Sequence, residues 1–290
     1  MPGSGPSTGR GPSDVTGRGG PSDPQAANLR WWNTALPVHL ASEFYDVEGW
    51  LAAGRGPRGR ESAVLGDVTG LDLVHLQCHF GKDTLSWARA GARVTGLDFS
   101  DAAVDAARDL AVRAGLDDRA EFVCAPVAEA LATLGSERYD IVYVSLGALC
   151  WLPSVAEWAL QVAGLLRPGG RLFLHEVHPL SLALAGDDLT VVHPYFEEPA
   201  PLRDTEAGTY ADPTATDVLP GDPTYGWSHG LGETLGALVT AGMRVDLLDE
   251  HDWTSFRRFP WLVETGEEEF VAPEGHLRVP LSFTLLATRI

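Results

Sequence analysis

The sequence predicts an α/β fold in which a parallel β-sheet is covered by helices on both faces. Between residues 72 and 176, short apolar runs alternate with segments of helical periodicity. The helical segments carry start and stop signals, such as Ser100 and Gly115 around one of them and the capping box that begins at Ser154. Alternation of this kind is typical of βαβ units and a parallel sheet.

The individual elements follow from the same patterns. The predicted strands are residues 72–77, 93–98, 121–124, 139–145 and 171–176, with two more at 243–248 and 281–288. The predicted helices are residues 83–90, 102–114, 127–134, 154–166 and 231–241. Between strand five and the helix at 231 the regular pattern stops, which leaves a long connection to explain.

The chain is organised as a tail and one domain. Residues 1–28 contain few apolar side chains and are expected to form a disordered tail, because they cannot bury enough surface to offset the entropy of ordering. Residues 29–290 are expected to form a single domain. Its parts are an N-terminal helical cover at 29–66 that Pro37 divides, a cofactor-binding core at 67–178, a lid-like insert at 179–229, and a C-terminal part at 230–290 with a second irregular cover at 253–277.

Composition and charge restrict the partners. The chain has 290 residues, of which 21 are Lys or Arg and 40 are Asp or Glu, so the formal charge is −19. Nucleic acid and anionic membrane surfaces would be repelled, and a small-molecule substrate fits better. The chain shows neither an apolar run long enough to span a membrane nor the apolar core of a secretory signal. The three cysteines are too few for a disulfide framework or a zinc site, so we expect no metal. Unpaired thiols also indicate a reducing, cytoplasmic location. The sequence leaves the oligomeric state open.

The strongest local motif is the turn after the first strand. Gln77-Cys78-His79-Phe80-Gly81 joins that strand to a helix, and such a turn places backbone N–H groups beside a ligand. Asp98 ends the second strand, where an acid can accept both hydroxyls of a ribose. With one glycine this pattern is also compatible with an ordinary strand-to-helix turn or a degenerate NAD site.

Four motifs together make the sequence resemble the seven-stranded, Rossmann-like (class I) S-adenosylmethionine-dependent methyltransferases of bacteria. They are the first motif at 76–86, Gly96-Leu97-Asp98-Phe99-Ser100, Tyr139-Asp140-Ile141-Val142, and Leu165-Leu166-Arg167-Pro168-Gly169-Gly170. The resemblance implies a mostly parallel sheet whose last strand inserts antiparallel beside the sixth. It also implies S-adenosyl-L-methionine as cofactor.

The resemblance also implies roles for individual residues. Gln77, Cys78 and Gly81 would face the methionine moiety, Asp98 the ribose, and Phe99 the adenine; Cys124, Ala125 and Val127 would line the adenine pocket, and Ser145, Leu146 and Gly147 would approach from strand four. Apart from the resemblance, the N-terminal helix offers three aromatic residues that either close over the cofactor or pack against the core: Trp31, Trp32 and Tyr45. Two family glycines are replaced here by Gln77 and His79, and Pro126 stands where an acid is common.

The acceptor side is predicted from residue chemistry. Glu176 and His178 lie at the end of strand five, at the edge of the sheet that faces the ligand crevice. His178 or His229 is the expected general base, with Glu176 as an orienting or amine-binding acid. Tyr225, Trp227 and Tyr45 are the expected substrate contacts. For each group a purely structural role is the competing interpretation.

These observations predict a methyltransferase that acts on an oxygen or nitrogen of a small metabolite. Two alternatives stay open from the sequence. One is the same fold using or binding the cofactor without methyl transfer. The other is an NAD-dependent dehydrogenase with a degenerate motif.

Overall fold

The computed structural model describes residues 23–186, 188–266 and 269–290. Its α-helices in these ranges are α1 (Pro24–Ala41), α2 (Val47–Ala53), α3 (Gly59–Leu65), α4 (Lys82–Arg89), α5 (Asp101–Ala114), α6 (Ala130–Leu134), α7 (Val155–Leu165), α8 (Pro179–Ala183) and α9 (Leu231–Thr240). Two single-turn 3₁₀ helices lie at Val127–Glu129 and Leu149–Trp151.

The strands fall into one large sheet and three small ones. They are β1 (Asp72–Leu76), β2 (Arg93–Asp98), β3 (Ala120–Cys124), β4 (Tyr139–Val144), β5 (Leu166–Val177), β6 (Leu184–Ala185), β7 (Thr190–Val191), β8 (Leu202–Asp204), β9 (Thr224–Gly226), β10 (Met243–His251), β11 (Trp253–Thr254), β12 (Val263–Gly266), β13 (Glu269–Val271) and β14 (Ser282–Arg289). All seven strands predicted from the sequence are present.

The large sheet has seven strands in the order β10-β14-β5-β4-β1-β2-β3. Strands β1 to β5 pair in parallel, and β14 is antiparallel to both of its neighbours. The predicted Rossmann-like fold with an antiparallel last strand is therefore confirmed. The strand order reverses between β1 and β4, and ligand crevices of open α/β sheets form at this switch point.

Apolar layers cover both faces of the sheet. Helices α6, α7 and α9 pack on one face, around Trp158 and Leu238. Helices α2 to α5 pack on the other, around Trp50, Trp87 and Leu85. Each layer buries the apolar stripe that the helical periodicity predicts, and the polar site is left at the edge where the parallel strands end.

The N-terminal helix corrects two expectations. Helix α1 begins at Pro24 with Asp23 as its cap, so disorder is wrong for residues 24–28; the rest of the predicted tail, up to residue 22, lies outside the described residues. The helix also continues through Pro37 instead of being divided there. Proline removes one backbone hydrogen bond, but Ala35, Leu36 and His39 on either side are buried against the domain and hold the helix together.

The two regions expected to be irregular carry some regular structure. The insert 179–229 contains α8, the β6–β7 pair and the β8–β9 pair. The second cover contains the three-stranded sheet β11-β13-β12. These strands have two to four residues, which is too short for a periodic pattern to show in the sequence.

Candidate active site

The loop that joins β1 to α4 has an unusual backbone. Gln77, His79 and Gly81 have φ angles of +57°, +51° and +76°, a region that disfavours residues with a Cβ. The Gln77 amide donates to the carbonyl of Ala148 (2.9 Å), and the His79 backbone N–H donates to Asp98 Oδ2 (2.8 Å). The two residues that replace family glycines thus keep a conformation that glycine favours, and contacts on each side hold it.

Position 81 favours glycine for two reasons: its backbone angle, and the lack of room for a Cβ atom. A Cβ placed there would lie 2.5 Å from Phe122 Cε1 and 3.0 Å from the Cβ of Ala107. Gly81 precedes the first residue of α4, and its carbonyl accepts from the backbone N–H of Leu85. The loop and the helix N-terminus can approach β3 and α5 this closely because no side chain stands between them.

Asp98 lies at the carboxyl end of β2 and connects two loops. Its Oδ2 accepts from His79 N–H at 2.8 Å and its Oδ1 accepts from Ser100 N–H at 2.9 Å. The residue is only 7% exposed. Burial raises the pKa of the Asp98 carboxyl to about 6, although the backbone hydrogen bonds oppose this rise. Each carboxylate oxygen keeps a further lone pair that can accept a hydroxyl.

These residues border a cavity of about 330 Å³ at the switch point. Its wall is formed by the first-motif loop, the ends of β2 to β4, helix α1 and the two covers. Ten residues predicted from the sequence reach this wall: Trp32, Tyr45, Gln77, Cys78, Gly81, Phe99, Val127, Ser145, Leu146 and Gly147. Asp98 and Ala125 do not line the cavity themselves. Asp98 accepts a hydrogen bond from the lining residue His79, and Ala125 N–H donates to Asp98 O at 2.9 Å. The first-motif and strand-end residues therefore converge on one cavity.

Glu176 does not face the cavity, which corrects its assignment as a catalytic acid. Its carboxylate accepts from four backbone N–H groups, those of Gly147, Ala148, Leu149 and Val177, at 2.5–2.9 Å. It is 4% exposed. The side chain is fully engaged in holding the loop after β4, three of whose residues it bonds, and this loop forms part of the cavity wall.

His178 is also placed away from the cavity. Its Nδ1 accepts from the backbone N–H of Leu180 and so caps α8, which leaves Nε2 to donate to Glu250 at 2.9 Å. Both ring nitrogens are therefore used by structural contacts, and the expectation that His178 is the general base is corrected.

The segment around His229 anchors the insert instead of contacting the cavity. His229 Nε2 donates to the carbonyl of Leu152 at 2.8 Å, and Trp227 N–H donates to Cys150 O at 2.8 Å. The backbone of Tyr225 exchanges two hydrogen bonds with the buried side chain of Asn28. None of the three predicted residues Tyr225, Trp227 and His229 reaches the main cavity, so their assignment to substrate or base is corrected as well.

Three residues that contact the lining residues His79 and Tyr45 or each other were missed by the sequence analysis: His39, Thr209 and Tyr210. His39 Nδ1 lies 3.0 Å from His79 Nε2, and His39 Nε2 lies 2.7 Å from Thr209 Oγ1. The hydroxyls of Tyr45 and Tyr210 are hydrogen-bonded. Burial lowers the pKa of His39 to about 4 and lowers that of His79 well below its usual value, where the neighbouring His39 adds to the effect. Both imidazoles are therefore neutral at physiological pH.

Charged side chains at the cavity are paired with one another. Arg58 lies 3.3 Å from Asp83 and 3.5 Å from Glu61. Burial alone would raise the pKa of Asp83, but the positive charges of Arg58 and Lys82 outweigh it and lower that pKa. Burial raises the pKa of Glu61 to about 7 against the effect of Arg58. Because these charges are paired with one another, the remaining lining beside the first motif includes many aromatic rings.

Comparisons with known proteins agree with this geometry. Residues 59–174 match the family described as "Methyltransferase domain". The ubiquinone biosynthesis O-methyltransferase of Methylobacterium sp. (strain 4-46) is 27% identical over 73% of this chain and 89% of its own length. The 27-O-demethylrifamycin SV methyltransferase of Amycolatopsis mediterranei (strain S699) is 35% identical over 35% of this chain and 37% of its own length. Several further ubiquinone biosynthesis O-methyltransferases match over 46–62% of their length.

A solved structure shows the same fold. The S-adenosylmethionine-dependent methyltransferase from Mesorhizobium loti superposes with a TM-score of 0.56 over 79% of this chain and 96% of its own, at 23% identity. The fold, the first-motif loop and the family match define a seven-stranded α/β methyltransferase. Residues 59–174 are a methyltransferase domain, and the chain is similar to bacterial class I S-adenosylmethionine-dependent methyltransferases in sequence and fold. The dehydrogenase alternative is not favoured. In the described part of the chain no helix is both long and apolar enough to cross a membrane.

Proposed function

We propose that the protein transfers the methyl group of S-adenosyl-L-methionine to a hydroxyl oxygen of a small, planar or aromatic metabolite. The observation that carries this proposal is the shared cavity. The first-motif loop lines part of it, and aromatic side chains line another part, from Trp32, Phe44, Tyr45, Trp151 and Tyr210. Relatives named as O-methyltransferases of ubiquinone biosynthesis support oxygen as the acceptor atom.

The residues present fit the cofactor. Gln77 Oε1 is a buried acceptor at the cavity wall without a hydrogen-bond partner, and such an atom calls for a donor such as the amino group of a methionine moiety. Asp98 would accept the ribose hydroxyls, Phe99 would contact the adenine, and the backbone at Gly81 allows close approach. When bound, the cofactor supplies a methyl group already activated by a cationic sulfur.

The aromatic wall would hold the acceptor and exclude water. Trp31, Trp32 and Trp151 are in mutual ring contact, with centroids 5.2–6.1 Å apart. Tyr210 extends this surface from the insert and lies 5.0 Å from the ring of His39. Aromatic walls favour flat, weakly charged ligands. Positioning of this kind contributes much of the rate in a displacement whose electrophile needs no further activation.

His79 is the residue we assign to proton removal from the acceptor. It lies on the cavity wall, is neutral, and is backed by His39 at 3.0 Å. A neutral imidazole can accept a proton, and the second ring can orient it. The raised pKa of Tyr45, caused by burial and by Tyr210, keeps that phenol protonated and makes it a hydrogen-bond donor.

The reaction is proposed to take place in the cytoplasm. The three cysteines, Cys78, Cys124 and Cys150, are all free thiols, and free thiols persist where the compartment is reducing.

A methyl-transfer assay tests the proposed function. The full chain is incubated with methyl-labelled S-adenosyl-L-methionine and a panel of phenols, other hydroxyl metabolites and matched amines, and labelled products are separated. We expect label on the oxygen of at least one planar hydroxyl compound. If only amines are labelled, the acceptor atom is wrong. If the cofactor binds by calorimetry but no compound of the panel is labelled, while an extract of small metabolites also yields no labelled product, methyl transfer to a small molecule is contradicted.

A further inference from the structure

Three side chains meet where the insert joins α9, apart from the main cavity. His229 Nδ1 lies 3.6 Å from Glu197 Oε2 and 3.9 Å from Glu233 Oε2. One ligand-type atom from each residue lies within 4.8 Å of the other two. His229 precedes α9, Glu233 belongs to its first turn and Glu197 comes from the insert, so the cluster joins two segments that are distant in sequence.

The imidazole of His229 directs Nδ1, a nitrogen without a hydrogen-bond partner, toward the two carboxylates. Its side chain is 3% exposed, and Nε2 donates to the carbonyl of Leu152, so in the neutral ring Nδ1 carries a lone pair. Nδ1 is buried and has no hydrogen-bond partner. A histidine whose other nitrogen donates to a backbone carbonyl is oriented as metal-ligating histidines are.

Ordinary explanations do not account for the whole cluster. A carboxylate in the first turn of a helix interacts favourably with the helix dipole, which explains Glu233 alone. It does not explain the second carboxylate, Glu197, which comes from the insert and lies beside both Glu233 and His229. A proton on His229 Nδ1 would require an acceptor closer than 3.6 Å to form a hydrogen bond.

The separations fit a bound ion better. Ligands at about 2.1 Å from a tetrahedral zinc ion are about 3.4 Å apart, close to the observed 3.6 and 3.9 Å. Two carboxylates neutralise a dication, and a nitrogen ligand favours Zn²⁺ over Mg²⁺, which prefers oxygen and water. Glu197 and Glu233 are about one-third exposed, which provides a path from solvent.

We propose that Glu197, His229 and Glu233 form a divalent transition-metal site of the Zn²⁺ class that clamps the insert to α9. The site is structural, because none of its residues reaches the main cavity. Neighbouring contacts support a clamp at this position: Ser228 Oγ donates to the carbonyl of Pro194, and Leu231 N–H donates to the hydroxyl of Tyr195. The ion would add a third link between residues 194–197 and the start of α9. This inference does not rest on the identity of the methyl acceptor.

Metal titration of the full chain tests the site. After treatment with a chelator and its removal, ZnCl₂ or MgCl₂ is added alone, and binding is followed by calorimetry and by the melting temperature. We expect one Zn²⁺ per cluster with a dissociation constant in the micromolar range or below, a rise in melting temperature of at least about 3 °C, and no comparable effect of Mg²⁺. Absence of Zn²⁺ binding by the wild-type chain overturns the proposal.

Matched variants locate the binding. Glu197→Gln, Glu233→Gln and His229→Gln should each weaken Zn²⁺ binding at least tenfold, whereas Glu198→Gln, at the exposed neighbouring position, should not. If His229→Gln does not fold, the two partly exposed glutamates still decide the question. Unchanged Zn²⁺ affinity in both glutamate variants means that the ion binds elsewhere and overturns the proposal. Since the readout is metal binding, it is independent of whether the methyl-transfer assay succeeds.

Discussion

The backbone N–H of His79 donates to Asp98 Oδ2 at 2.8 Å, and this bond connects the first-motif loop to the acid that ends the second strand. The bond holds His79 at a φ of +51°. It also fixes one side of the Asp98 carboxylate while leaving lone pairs for a ligand. The loop and the acid proposed to bind the ribose are therefore linked, and we expect a substitution in either one to affect the other.

Replacing Asp98 should weaken cofactor binding. Each hydrogen bond to a charged acceptor contributes about 1.5–3 kcal/mol, and Asp98→Ala removes the acceptor for two ribose hydroxyls. We expect S-adenosyl-L-methionine affinity measured by calorimetry to fall at least tenfold. Asp105→Ala, at an exposed position of α5, is the control and should bind normally. Equal affinity in both variants would show that Asp98 does not hold the ribose.

Cofactor affinity should also depend on pH. Burial raises the pKa of Asp98 from 3.8 to about 6, so protonated Asp98 stabilises the folded chain. This contribution to folding stability is complete below about pH 3.8 and is lost as the pH rises through 6. Cofactor binding responds in the opposite sense, because the ionised carboxylate is the better acceptor. We expect affinity to fall as the pH drops through 6, and this step should be missing in Asp98→Asn. A wild-type profile that stays flat down to pH 5 would be inconsistent with the raised pKa.

Gly81→Ala should destabilise the fold for two separate reasons. A left-handed backbone costs alanine about 1 kcal/mol, and the new Cβ would lie 2.5 Å from Phe122. Gly115 also has a positive φ, of +66°, but it has open space around it, so Gly115→Ala measures the backbone cost without a clash. We expect denaturant unfolding to show a loss of about 1 kcal/mol for Gly115→Ala and more than about 2 kcal/mol for Gly81→Ala. Equal losses would mean that the neighbours of Gly81 can move aside.

The sheet and the cofactor side were predictable because both depend on local signals. Strand and helix patterns, the Ser100 cap and the Gly115 stop all act within a few residues, and the structure contains the elements they predict. The first-motif residues reach the cavity for the same reason, since they follow directly from strand ends. The replaced glycines illustrate how local this information is, because Gln77 and His79 keep the backbone angles of the residues they replace.

The acceptor side was not predictable because its residues come together through long-range packing. His39 meets Thr209 across 170 residues and Tyr45 meets Tyr210 across 165. No spacing rule links such positions. The chemically suggestive residues Glu176 and His178 do lie at the expected edge of the sheet, but their polar atoms are engaged by backbone N–H groups and by Glu250. A titratable side chain at a strand end is as suitable for holding a loop as for catalysis.

Glu176→Gln should therefore lower stability. Glutamine has one acceptor oxygen where glutamate has two. The amide NH₂ group of glutamine would therefore face backbone N–H groups that now donate to the carboxylate, such as that of Gly147 at 2.5 Å. We expect the free energy of unfolding to fall by about 2–4 kcal/mol. Glu157→Gln, at an exposed position on α7, should change it by less than about 0.5 kcal/mol. A stable Glu176→Gln protein with a large loss of kcat would instead restore the catalytic interpretation of this acid.

The assignment of His79 as the proton acceptor makes the sharpest catalytic prediction. His79→Asn is the informative change, because asparagine tolerates the left-handed backbone at this position and its N–H can still bond Asp98. Base catalysis typically contributes about 10²–10⁴ in rate, so kcat on a phenolic acceptor should fall at least 100-fold while cofactor affinity stays within about twofold. His178→Gln, which alters the cap of α8 and the contact with Glu250, should keep kcat. Raising the pH should partly rescue His79→Asn, since a phenol that loses its proton to solvent no longer needs the imidazole. A variant whose kcat falls without any rescue at high pH, or whose cofactor affinity falls in parallel, would place His79 on the cofactor side and leave proton removal to solvent.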